Sequence, residues 1–255
     1  MNKKILIALV IILVFICVAY VFSTNNKQAK GLVASGHPAW SPIMYQDNNQ
    51  IVGAGPEIVK KIFSELGIIV DSRYEGTWDV VQEKARSGVV DVLVAAYKTA
   101  ERESYMVYSN PYTFDPIVLV VKKGNAFVYD KWEDLISKKG VVTIGDSYGQ
   151  DFDNFVKEKL TPVKVATPGE AIGLLNKGEA DYFVYALYSA QNFISENQLS
   201  EQVEIMPKNI SSENFYLTIS KKSPYVNLMP KVNDLLKKYT EDGTISRIIE
   251  QYNKK

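Results

Sequence analysis

Two stretches of this chain carry the same rhythm of apolar and polar positions. Thr77 opens a segment in which Trp78, Val81 and Ala85 fall on one helical face. Gly88 closes it, and Val89-Val90-Asp91 leads into the apolar run Val92 to Ala96. Thr167 opens a second such segment, with Pro168 next and Glu170 three residues on. Gly178 closes it, and Glu179-Ala180-Asp181 leads into the run Tyr182 to Leu187. The Thr-to-Gly and Gly-to-Asp intervals are equal in the two copies. Threonine followed by glutamate, with proline at the first helical position, starts a helix. Glycine stops one because positive φ costs it little. The segments before these also match. Gly31 to Ser35 predicts a strand. Pro56 to Leu66 predicts a helix burying Ile58, Val59, Ile62, Phe63 and Leu66, stopped by Gly67, and Ile68 to Tyr74 predicts a strand. In the second copy Val141 to Gly145 predicts a strand, Gln150 to Leu160 a helix with Phe152, Phe155 and Val156 on one face, and Pro162 to Ala166 a strand. Each half reads strand–helix–strand–helix–strand, the pattern of a parallel sheet with crossover helices.

The connections predict how the halves join. Ile117 to Lys122 is a continuous β-branched run placed to cross between them, and Phe215 to Ile219 is placed to cross back. Asp130 with Glu133 predicts a capping box before a helix carrying Trp132, Leu135 and Ile136. Helices over Pro224–Tyr239 and Thr244–Tyr252 complete the first half. The resulting fold class is α/β: two lobes of mostly parallel sheet with flanking helices, joined by two hinge strands. Lobe 1 comprises residues 30–116 and 214–255, and lobe 2 comprises residues 117–213. Ligands of open α/β sheets sit beyond the carboxyl ends of the strands, so two such lobes share a cleft that closes by hinge motion.

The first 29 residues stand apart. Lys3 and Lys4 precede an unbroken apolar run from Ile5 to Phe22, and a polar linker from Ser23 to Lys30 follows. A basic segment before an apolar one is an export signal, here long enough to serve instead as an uncleaved anchor in the cytoplasmic membrane. Both readings place the rest of the chain outside the cytoplasm, in the periplasm or its equivalent. Lys plus Arg and Asp plus Glu are both 29, a net charge of zero, which gives no reason to expect nucleic acid. Cys17 is the one cysteine and lies inside the apolar run; His37 is the one histidine. That leaves no Cys/His zinc set and no Ser-His or Cys-His catalysis. Neither metal, cofactor nor catalytic residue is expected, and one chain suffices to form the cleft, so a monomer is expected.

Five short motifs then carry a resemblance over about Lys30 to Tyr252. They are Trp40 with Pro42; Gly53 to Glu57; Thr77-Trp78-Asp79 to Gly88-Val89-Val90-Asp91; Thr99-Ala100-Glu101-Arg102; and Ser109-Asn110-Pro111-Tyr112. In this order and spacing the chain resembles the family 3 extracellular solute-binding proteins, the polar-amino-acid receptors of ABC importers, as a divergent member. The resemblance implies a type II periplasmic-binding-protein-like fold, a small carboxylate or amino-acid ligand, and an ABC transporter permease as partner.

It also implies a site. Arg102 pairs with the ligand's carboxylate, a task suited to a guanidinium fork. Ala95 and Tyr97, at the end of a strand, contribute backbone groups. The turn Ser147-Tyr148-Gly149-Gln150, opening a helix, completes the carboxylate site with its amides. Trp40 and Trp78 flank the ligand side chain, although Trp78 also fits a core position, and Tyr185 is a weaker candidate. The acid that in the family holds the α-amino group aligns with Ala186. The acid of the first loop becomes His37, and the first Asp of the Gly-Phe-Asp motif becomes Gly55, with Glu57 retained. An ammonium buried without a carboxylate is costly. Either another acid such as Asp146 takes over or the ligand lacks a cationic amine. A dehydratase-type enzyme on the same scaffold and an anchored sensory receptor are the alternatives.

Overall fold

The computed structural model describes residues 31–253. The N-terminal apolar run lies outside the described residues. Among those described, no helix is long and apolar enough to cross a membrane.

The duplicated pattern folds as two copies of one unit. In the first, β1 (Leu32–Ser35), α1 (Ala54–Glu65), β5 (Val70–Ser72), α2 (Trp78–Ser87) and β6 (Val92–Ala96) alternate. β1 lies between β5 and β6, parallel to both. In the second, β8 (Gly140–Thr143), α4 (Gln150–Lys159), β9 (Val163–Val165), α5 (Pro168–Lys177) and β10 (Tyr182–Ala186) repeat the order. β8 lies between β9 and β10, again parallel to both. Gly88 and Gly178 end α2 and α5 with φ of 85° and 73°, the left-handed conformation their spacing implied. At the start of α5 the Thr167 hydroxyl accepts the Glu170 N–H at 3.3 Å.

Two long strands link the units. β7 (Met106–Lys122) and β12 (Ser211–Ser220) pair antiparallel over most of their lengths. β12 also pairs with β6, and β7 with β10 and with β11 (Val203–Ile205), making one sheet of nine strands. β7 starts well before the predicted Ile117 and runs through Pro111 and Pro116. Over residues 106–116 it pairs with β12 alone, so a proline can face its free edge without breaking a ladder. That tolerance hid the strand from a pattern reading.

Other expectations are corrected. Residues 132–135 form a 3-10 turn, capped by the Asp134 carboxylate, which accepts the N–H groups of Asp130 and Lys131 at 2.7 and 3.0 Å; Glu133 takes no part in the cap. The segment from Pro224 begins with a 3-10 turn, and the α-helix there is α7 (Met229–Glu241), followed by α8 (Thr244–Asn253). Three features were not foreseen: a small antiparallel sheet of β2 (Ala39–Trp40), β3 (Met44–Asp47) and β4 (Gln50–Val52); the four-residue helix α3 (Ala100–Glu103); and α6 (Leu187–Glu196).

α1 packs its apolar stripe of Ile58, Val59, Ile62 and Phe63, all fully buried, on β5 and β6 and against α7 and α8. Removing one of these side chains takes away buried area and leaves a cavity. Phe63→Ala should therefore lower unfolding free energy by about 3–5 kcal/mol in urea titration, against a change within about 0.5 kcal/mol for the exposed Lys61→Ala on the same helix.

Candidate functional site

The carboxyl ends of β1 and β6 face those of β8 and β10, and the loops leaving them meet. Arg102 is placed there by a short capped turn. β6 ends at Ala96, and the Thr99 hydroxyl accepts the Arg102 N–H at 3.2 Å, starting α3 and turning Arg102 back toward the strand end. The side chain is 4% exposed. Its Nε donates to Gln82 Oε1 at 2.8 Å, Nη1 to the Tyr97 carbonyl at 3.1 Å, and Nη2 to the Gly145 carbonyl at 3.1 Å. The guanidinium lies 5.4 Å from the Trp78 ring centroid. Every acceptor of this buried cation is neutral. The Gly145 carbonyl also takes Gln82 Nε2 at 3.0 Å, so it receives two converging donors, as one oxygen of a carboxylate would.

The opposite wall is the loop from Gly145 to Gln150. Ser147 and Tyr148 are tied down by Asp153, one turn into α4. The Ser147 hydroxyl donates to Asp153 Oδ2, and the Tyr148 N–H to Oδ1 at 2.9 Å. Burial raises the Asp153 carboxyl, while those two donors hold it down. Gly149 has φ of 100°, and a Cβ there would lie 2.1 Å from Glu213 Oε1, so only glycine fits this turn. Gln150 Oε1 accepts the Ala100 N–H at 2.9 Å. Tyr185 donates its hydroxyl to the Ala39 carbonyl, and Asn192 donates to Ser41 at 3.3 Å. His37, from the loop after β1, places Nε2 3.1 Å from Asp146 Oδ1. The two units thus meet face to face.

Between them lies an aromatic layer. The Trp40 ring sits edge-on to Tyr97 and Phe215 with centroids 5.6 and 6.3 Å away, and to His37 at 4.8 Å. These rings leave a space of about 10 Å³ beside Arg102 and Ser147, room for one water at most. Two larger cavities open on either side. One of about 910 Å³ has Arg102, Gln82, Asp146 and Gln150 on its walls. One of about 530 Å³ has His37, Trp78, Thr143 and Phe193.

The structure brings together most of the residues singled out from the sequence. Arg102, Ala95, Tyr97, Trp40, Trp78 and Ser147 all border the small central space. Tyr97 is buried rather than facing solvent, and burial pushes its phenol well above the usual tyrosine range. Tyr185 lies under this layer, stacked on Phe183 at 4.9 Å. Tyr148 turns its ring into the core, where its hydroxyl accepts the Thr143 N–H at 3.0 Å, so its backbone alone faces the turn. Glu57 points away toward α8, accepting from the Tyr252 hydroxyl at 2.9 Å. Gly55 has no room for an acid, since a Cβ would meet the Ile43 carbonyl at 3.1 Å and the Tyr112 hydroxyl at 3.2 Å. Two contributors were missed. Gln82 stands one turn after Trp78 on the same face of α2, a spacing that pairs helical neighbours. Asp115, inside β7, gave no local signal.

Asp115 is fully buried. Its Oδ1 accepts the Tyr188 N–H, at the start of α6, at 3.4 Å. Asp115 Oδ2 and the indole N–H of Trp40 complete no hydrogen bond of good geometry. Asp115 forms no ion pair among the described residues. Burial lifts its carboxyl from 3.8 to about 7, opposed by the Tyr188 and Leu187 N–H groups and by the nearby Trp40 indole.

Two parallel half-sheets joined by long antiparallel strands, with polar side chains facing each other across the strand ends, have the build of a solute-binding protein. The chain belongs to the bacterial extracellular solute-binding proteins, family 3, whose profile matches residues 32–255. It is 24% identical to the L-cystine-binding protein TcyA of Bacillus subtilis, over 98% of this chain and 97% of that one. It is 22% identical to the L-cystine-binding protein TcyJ of Escherichia coli, over 89% and 85%. Among solved structures it superposes on the Streptococcus pneumoniae substrate-binding protein AbpA bound to L-arginine, with a TM-score of 0.73 and 26% identity over 89% of this chain and 96% of that one. An arginine-binding protein from T. maritima shares the fold with a TM-score of 0.75 at 24% identity, over 91% and 99%. These relatives are binding proteins by name, and the family is described as extracellular.

The Asp115 environment has a consequence for stability. Well below pH 3.8 the carboxyl is neutral in both folded and unfolded chains. As pH rises from 3.8 toward about 7 the unfolded chain loses the proton first, so folding is progressively disfavoured. At about 1.4 kcal/mol per pK unit, the total above pH 7 is on the order of 4 kcal/mol. Asp115→Asn should flatten this fall: thermal melts at pH 8 should show the variant gaining on the wild type, with the advantage largely gone at pH 4. A parallel fall in both proteins would contradict the assignment.

Proposed function

We propose that this protein is the extracytoplasmic receptor of an ABC importer, closing on a small carboxylate-bearing solute, an amino acid or a related compound. The observation that carries the reading is Arg102, a guanidinium buried to 4% exposure whose acceptors are all neutral. A carboxylate reaching it would replace the Gly145 carbonyl with a charged, bidentate acceptor. The names of the relatives support the ligand class, since L-cystine and L-arginine each present such a carboxylate. In this reading residues 30–116 with 214–255 form one lobe and residues 117–213 the other. β7 and β12 act as the hinge, and opening breaks the contacts of Arg102 and Gln82 with Gly145. The solute enters through the roughly 910 Å³ cavity on the Arg102 side. The partner is a membrane permease, and the N-terminal apolar run exports or tethers the chain.

In thermal-shift screening against L-amino acids and L-cystine, a ligand at about 100 times its Kd adds roughly 2.7 kcal/mol to wild-type stability. Arg102→Ala should abolish that gain, and Arg102→Lys should recover only part of it, because an ammonium cannot bind both carboxylate oxygens in plane. An affinity unchanged in Arg102→Ala, with the variant folded by circular dichroism, would sink this reading.

A further inference from the structure

Asp146 immediately follows Gly145, the residue whose carbonyl caps Arg102, and all three residues line the same roughly 910 Å³ cavity. The Asp146 side chain is fully buried. Among the described residues its ion-pair partner is His37 Nε2 at 3.1 Å, and neither of its oxygens completes a hydrogen bond of good geometry. His37 Nδ1 accepts the Ala39 N–H at 3.0 Å, which leaves Nε2 as the proton-bearing atom, 3.1 Å from Asp146 Oδ1 without the alignment of a hydrogen bond. The imidazole is also bracketed by two indoles, with centroids 4.8 Å from Trp40 and 5.7 Å from Trp78. A buried carboxylate beside an imidazole that packs on two indoles is a setting for a compact organic cation. Beside it stands a buried guanidinium lacking an anion. The two sites together have the charge pattern of a zwitterion, positive facing carboxylate and negative facing ammonium. Each is held by a piece of this chain instead: Gly145 on Arg102, and His37 on Asp146.

We propose that Asp146 is the acceptor for the ligand's α-ammonium and that the His37 imidazole is its internal stand-in, displaced when ligand binds. The proposal rests on the reading of Arg102 as the carboxylate anchor. It explains how a binding site can work with alanine at position 186 and histidine at position 37: the acid comes from the loop after β8. It also separates two parts of specificity, since Arg102 admits any carboxylate while Asp146 selects those bearing a neighbouring cation.

The test is calorimetric titration of the full exported chain with L-cystine and L-arginine, and with dithiodipropionate and guanidinovalerate, their counterparts without the α-ammonium. Wild type should prefer the amino acids. Asp146→Asn should weaken the amino acids about tenfold or more and leave their counterparts within about twofold. His37→Ala, which removes the stand-in and spares the acid, should tighten the amino acids several-fold. Equal weakening of all four probes in Asp146→Asn, weaker amino-acid binding in His37→Ala, or loss of discrimination in Asp115→Asn with Asp146→Asn unaffected would each overturn the proposal. Arg102→Ala distinguishes the two levels. If it abolishes binding of all four probes while Asp146→Asn does not discriminate, the receptor reading stands and this inference falls. If Arg102→Ala leaves the counterparts bound, or wild type binds none of the four, the receptor reading fails and the inference with it.

Discussion

A guanidinium cannot be buried without acceptors, and much of the arrangement around Arg102 follows from that constraint. Its three hydrogen bonds draw on three separate elements: Gln82 on α2, the Tyr97 carbonyl after β6, and the Gly145 carbonyl after β8. The first two belong to its own half of the molecule and hold it in place there. The third reaches across. One side chain therefore joins the scaffold that positions it to the opposing wall, and Gln82 repeats the link by touching both Arg102 and Gly145.

The fold supports this through duplication. Two units with the same order of strands and helices direct their strand ends, and hence their loops, toward one another. The sequence made this legible because each repeat carries its own stop and start signals: Thr before Gly at equal intervals, with glycine adopting positive φ. Elements set by tertiary partners were harder to read. β7 passes through two prolines because one edge of its first half is free. The small sheet around Trp40 is too short to show a period. α6 begins with no capping side chain, so nothing in residues 187–190 announced it; the buried Asp115 carboxylate that approaches its first amides is remote in sequence.

The candidate site, as a cluster of residues at the strand ends, was legible in outline for a similar reason. Arg102 and the Ser147 turn stand at strand ends, where backbone pattern and motif coincide. Trp40, Trp78 and Tyr97 were found as aromatic positions, and their packing into one layer is something only the assembled halves create. Asp115 and Gln82 were not found, because each acts through a neighbour distant in the chain. Asp146 emerged by elimination, as an acid left over when position 186 proved to be alanine, and it is buried against the other unusual substitution, His37.

Closure in such a receptor is a competition between internal and external partners. The shut arrangement is stabilised here by contacts the chain makes with itself: Gly145 on Arg102, His37 on Asp146, Tyr185 on Ala39 and Gln150 on the Ala100 amide. A ligand shifts the balance only by the difference between what it offers these groups and what they already have. A neutral carbonyl is a weaker partner for a guanidinium than a carboxylate, and an imidazole without a well-formed hydrogen bond a weaker one for a carboxylate than a full ammonium. The internal contacts are thus good enough to hold the cleft shut and poor enough to be replaced. They also raise the threshold for solutes that satisfy one charge and leave the other buried and alone. If Arg102 and Asp146 receive the two charges of the ligand as proposed, selectivity for a zwitterion arises from that threshold as much as from any contact the ligand gains.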